Sequence, residues 1–174
     1  GQEPSRPAAL IAPSLHFLIP DPGELGFPIM VAQEVRVHFK DSRLAFEADL
    51  AIADKTLHLV GLDPLGGRLL TLDLSEGRLK AETGPGFPAG LQPVNILADI
   101  AILYWPKAAV KRGLQGTSAE VRDEEGGRSV FFEGKEIIHA SFKREQGSPW
   151  PESAHYAQFA FGYTLDIKSL TEGQ

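Results

Sequence analysis

The chain of 174 residues contains no cysteine. That absence excludes disulfides, thiolate zinc sites and cysteine nucleophiles together, although it leaves the compartment open. A block of basic residues is also missing. The formal net charge is −6, and without a positive patch nucleic acid is not expected as a partner. Nor is there a long apolar run. The greasiest stretch, "ILADIAILYWP" from Ile96 to Pro106, would span about 15 Å as a helix, half of a bilayer core of roughly 30 Å. Finally, no HExxH, no GxSxG elbow, no Walker loop and no strand-borne GxGxxG occurs. The five histidines (His16, His38, His58, His139, His155) are scattered without metal-ligand spacing. Neither a metal centre nor a cofactor is expected.

What the chain does contain fits one domain large enough to bury a core. The first 14 residues, rich in Pro, Ser, Gln and Ala, read as a flexible tether, with the folded domain expected over 15–170. The chain opens without an initiator Met, so the expectation is a leader removed upstream.

From Met30 the pattern has period two. Val35, Val37 and Phe39 share one face while Arg36, His38 and Lys40 take the other. In "SRLAFEADLAI", Leu44, Phe46, Ala48, Leu50 and Ile52 alternate with Ala45, Glu47, Asp49 and Ala51. Such alternation marks half-buried antiparallel strands. About five of them are expected before the breaker-rich loop Gly84 to Pro93, and strands resume after Gly116. The last is expected as one long strand, with Ala157, Phe159, Phe161, Tyr163, Leu165 and Ile167 on a single face. Strands, a helical insert and strands again exclude a doubly wound sheet. The order suits a mainly β fold, a strongly curved antiparallel sheet with short helices over its apolar concave face.

"ILADIAILYWP" is the insert. As a strand it would put Asp99 among Leu97, Ala101, Leu103 and Trp105, an awkward burial. As a helix it is better supported. Asn95 can cap it, Asp99 then lies near the positive end of the dipole, and Trp105 before Pro106 ends it. Pro106 suits the first position of a second helix, with Lys111 and Arg112 in its last turn and Gly113 as its stop.

The run "NILADIAILYWPKAAVKRGLQG" resembles the helical segment of LolB-type outer-membrane lipoproteins, and "LHLVGLDPLGGRLLTLDL" resembles the Pro-Leu-Gly segment between their early strands. With the closing "FGYTLDI", the chain resembles even more closely an uncharacterised group of bacterial lipoproteins in the LolA/LolB superfamily. The resemblance implies a half-open β-barrel around an apolar cavity closed by a helical lid. It implies a periplasm-facing domain held at the outer membrane by a lipid anchor lost with the leader. The implied partners are an acyl chain or other hydrophobic ligand and a LolA-like carrier.

On that reading Leu97, Ile100, Leu103 and Tyr104, with Trp105 at the bend, belong to the lid, while Phe46, Leu50, Phe159, Phe161 and Tyr163 belong to the sheet side of the cavity. The alternative is a closed core in which the same side chains pack directly together, leaving an interaction domain. Leu65, in "DPLGG", is implied as a membrane-contact residue, against a leucine folded back under its loop. Asp99 is the one weak catalytic candidate, an acid or base in an apolar pocket as in hot-dog enzymes. That would make the protein an accessory enzyme or scaffold in a lipid or polyketide-like pathway. The competing expectation for Asp99 is a carboxylate satisfied by a helix N-terminus or by a Lys or Arg, and the protein is not expected to be an enzyme.

Overall fold

Twelve strands, two α-helices and a short 3-10 helix (Pro22–Leu25) make up the computed structural model, which describes residues 6–171. Ten strands form one antiparallel sheet in the order β7-β6-β5-β4-β3-β12-β11-β10-β9-β8. The sheet is curved and not closed, because β7 and β8 remain its edges. Its first half is the expected meander: β3 (Ile29–Phe39), β4 (Ser42–Ala53), β5 (Thr56–Leu62), β6 (Arg68–Ser75) and β7 (Arg78–Thr83). Register brings the apolar faces together, with Val35 opposite Phe46 and Val37 opposite Leu44. The β4–β5 turn is the two-residue Asp54-Lys55, both with positive φ (50° and 66°). This is the mirror-image turn whose twist matches flanking strands.

After the helices come β8 (Glu120–Glu124), β9 (Gly127–Phe132), β10 (Lys135–Lys143), β11 (Ser153–Gln158) and β12 (Tyr163–Thr171). The expected single long strand over 157–168 is therefore a hairpin. Gly162 turns the chain at φ 79°, and its N–H donates to the Gln158 carbonyl. Alternation runs unbroken through "AQFAFGYTL", so hydrophobicity alone hides the turn. The consequence is a change of face: Tyr156 and Gln158 lie opposite Leu165 and Tyr163, on the side facing the helices, while Ala157 does not.

Helix α1 spans Pro93–Tyr104 and α2 spans Lys107–Gly113. Every residue from Leu97 to Leu103 is buried, as expected of a helix apolar all round. The cap at its start is Gln92, not Asn95, whose Nδ2 instead donates to the Leu10 carbonyl at 2.9 Å. Trp105 ends the helix in an extended conformation (ψ 154°) ahead of Pro106. Pro106 flanks α2 rather than opening it. A buried arginine locks the bend. Arg128 Nη1 donates to the carbonyls of Ile102 and Trp105, both at 2.7 Å, and its Nε donates to Asp123 at 2.7 Å. Carbonyls that the helix end would orphan are thereby satisfied. Gly113 is the last residue of α2, with Lys111 and Arg112 in the final turn, so the helix stops where expected. A Cβ there would sit 2.5 Å from the Leu18 carbonyl oxygen and 2.6 Å from the Phe17 ring.

Those neighbours belong to a feature the composition conceals. Residues 8–14 are not a tether: β1 (Ala8–Ala12) pairs with β2 (Leu15–Leu18) in a separate hairpin. Ile11, Leu15 and Phe17 are buried in the core. Gln158 Nε2 donates to the Ile11 carbonyl at 2.6 Å, tying the hairpin to the sheet. Pro and Ser mark the turn of this hairpin rather than a linker, and burial of its apolar face outweighs the chain entropy. Residues 1–5 of the expected tether lie outside the described residues.

Candidate functional site

Strands β3–β6 and β12 curve away from α1 far enough to leave a chamber of about 790 Å³. That size lies within the usual range for small-molecule sites. Val35, Val37, Leu44, Phe46, Leu165 and Ile167 supply the sheet wall, Ile96, Ile100 and Leu103 the helix wall, and Phe87 to Gln92 run across the mouth.

Asp99 stands in the middle of α1 and lines this chamber, 7 % exposed. It is capped by neither a helix N-terminus nor a basic residue. Tyr156 donates its hydroxyl to Oδ1 at 2.6 Å and Tyr163 donates to Oδ2 at 2.7 Å. The two phenols reach it because Tyr156 and Tyr163 share one face on neighbouring strands, their rings 6.5 Å apart. Burial pushes the Asp99 carboxyl up to about 7, and the phenol bonds pull the other way. Burial and the neighbouring carboxylate together hold both tyrosine hydroxyls well above their ordinary range. Both phenols are therefore donors throughout the neutral range.

Of the ten residues expected around a cavity, Phe46, Ile100, Leu103, Phe161 and Tyr163 line it. Leu50 and Leu97 are buried in the core and do not line it. Tyr104 stacks on Trp150 with ring centroids 4.0 Å apart, and burial pushes its hydroxyl up to about 12. Trp105 Nε1 donates to the Asp21 carbonyl at 3.1 Å. These two line a separate, more polar depression beside Arg128 and Arg144. Phe159 is 55 % exposed, thrown outward by the β11–β12 turn. Tyr156 escaped sequence reasoning because the unseen turn put it on the wrong face. Gly162 was the available signal.

Leu65 is 97 % exposed. Its loop is nonetheless built: Asp63 Oδ1 accepts from the backbone N–H of Leu65 at 2.8 Å and of Gly67 at 2.9 Å. Gly66 has φ 86°, and a Cβ on Gly67 would come within 2.6 Å of the Asp63 carboxylate. The leucine is therefore held outward at the tip of an ordered loop. The exposed side chains of His58 and Asp73, and of His155 and Asp166, pair across neighbouring strands. Among the described residues, no helix is long and apolar enough to cross a membrane.

A family model described as "Protein of unknown function (DUF3261)" matches residues 30–171. The chain belongs to the DUF3261 family. The matched span takes in the whole chamber-bearing sheet from within β3 onward, and leaves the β1–β2 hairpin outside it. No curated protein matches the chain. Among solved structures, a chain in the complex of MucA and MucB from Pseudomonas aeruginosa is similar to this DUF3261 protein at 10 % identity, with a TM-score of 0.48. The alignment covers 87 % of this chain and 54 % of that one, so this chain spans about half of that chain's length.

Proposed function

We propose that this DUF3261 protein is a LolB-like, periplasm-facing lipoprotein domain that holds an acyl chain or other hydrophobic ligand. The observation that carries the reading is the apolar chamber between α1 and the curved sheet. A filled core, the interaction-domain alternative, would leave no such volume at native packing density. Binding would be by partition, with about 0.8 kcal/mol gained per buried methylene. The α1–α2 pair would act as a lid, and the Phe87–Gln92 segment would be the part that yields at the mouth. Outer-membrane anchoring through a lipid, a LolA-like carrier as donor, and a role in lipoprotein or lipid transport belong to the same proposal. The exposed Leu65 on its rigid loop supports a membrane contact.

Organic extraction of the purified protein followed by mass spectrometry, with titration of an uncharged apolar fluorophore, tests this reading. A co-purifying lipid or saturable probe binding is expected. A protein that carries none and binds none is not a carrier.

A second reading, an accessory enzyme using Asp99 as acid or base, is favoured by one feature: a buried carboxyl pushed up to about 7 inside a cavity. Turnover of an ester or thioester lost in Asp99→Asn, with folding intact, would establish it.

A further inference from the structure

The chamber's polar equipment is one-sided. Among the described residues that line it there is no Lys, Arg or His, and the single charged one is Asp99. Its two oxygens each accept one phenol hydrogen bond. An ionised carboxylate offers about four acceptor positions, so acceptor capacity remains. Three of the donor-bearing side chains of the wall are already engaged, while Ser42 and Gln92 also line it. Tyr163 gives its proton to Asp99, Asn95 Nδ2 to the Leu10 carbonyl, and Gln33 Nε2 to Tyr104 and Ser169. Both hydrogen bonds of the Gln33 side chain are made through that nitrogen, which leaves its carboxamide oxygen as a second acceptor.

We propose that the chamber takes an amphiphile bearing an uncharged hydrogen-bond donor, a hydroxyl or an amide N–H, placed against Asp99, and discriminates against a carboxylate or phosphate there. This deepens, and rests on, the reading of the chamber as a ligand site. An anion beside Asp99 would meet a like charge with no cation in the wall to offset it. A donor would gain a hydrogen bond to a charged acceptor at a site already shielded from water. An apolar group alone would gain the partition energy and leave the acceptors unused.

Three ligands of matched chain length separate these outcomes: decanol, methyl decanoate and decanoate. Each competes against an uncharged apolar fluorophore on the intact protein at about pH 8, where a free carboxylic acid is ionised. Decanol is expected to bind about tenfold tighter than methyl decanoate and tighter still than decanoate. Asp99→Asn should bring decanol and decanoate closer together. The wild-type series decides even if that variant folds poorly. Equal binding of all three overturns this inference and leaves the hydrophobic-ligand reading standing. Decanoate binding most tightly also overturns it, and would point to the exposed Lys40 beside Phe39 at the rim as the head-group contact. Failure of the fluorophore and of all three ligands to bind overturns both.

Discussion

Tyr163, at the start of β12, donates its hydroxyl to Oδ2 of Asp99 at the centre of α1 over 2.7 Å. With the matching bond from Tyr156, this pins the helix to two adjacent strands through a group that titrates near neutrality.

The folded chain holds the Asp99 carboxyl at about 7, against 3.8 ordinarily. Between those values the folded state keeps a proton that the unfolded state has released. Stability is therefore full below about pH 4, falls as pH rises through the window, and has lost this contribution above about pH 7, at roughly 1.4 kcal/mol per pH unit crossed. Asp99→Asn removes the slope. Urea unfolding at a series of pH values measures both, and a wild-type protein with flat stability across the window would contradict the assignment.

Tyr163→Phe deletes one donor to a buried carboxylate. It should cost about 1–3 kcal/mol and push the Asp99 carboxyl further up, extending the pH-dependent window upward. A double-mutant cycle with Asp99→Asn should show coupling, since the two groups touch. Strict additivity would mean the bond contributes nothing.

Arg128→Leu should destabilise by about 3 kcal/mol, because two helix-end carbonyls and Asp123 lose their donor at once. Thermal unfolding monitored by Trp fluorescence is the measurement, and an unchanged midpoint would show that the bend holds without it.

Gly113→Ala should cost about 1–3 kcal/mol although alanine is the better helix former. The added methyl group meets the Leu18 carbonyl and the Phe17 ring. Stabilisation instead would mean that the β1–β2 hairpin does not press on α2.

Leu65→Glu touches nothing inside the fold and should leave stability within about 0.5 kcal/mol. If the loop meets a membrane, cosedimentation with anionic phospholipid vesicles should fall about tenfold, the loss expected for one buried leucine. Equal cosedimentation of both proteins would remove Leu65 from the proposed function.

Strand identity was legible wherever one face is buried and the other wet, as in Val35/Arg36/Val37/His38 and Leu44 to Ile52. The break at Trp105-Pro106 was legible because proline restricts its predecessor whatever surrounds it. The β11–β12 turn was not, since Phe159 and Phe161 continue the alternation straight through it. The hairpin at Ala8–Leu18 was hidden for a related reason: small residues and Pro look like a linker until a surface exists for them to cover.

Local steric rules and period-two patterning thus determined, from the sequence alone, an antiparallel sheet interrupted by a broken apolar helix. Only the tertiary structure decided what Asp99 binds. Its partners lie 57 and 64 residues away, and nothing local encodes two phenols arriving on one face. Tertiary curvature also decided that the sheet stands off from α1 and leaves a chamber, because a void depends on how ten strands twist together and not on any one of them.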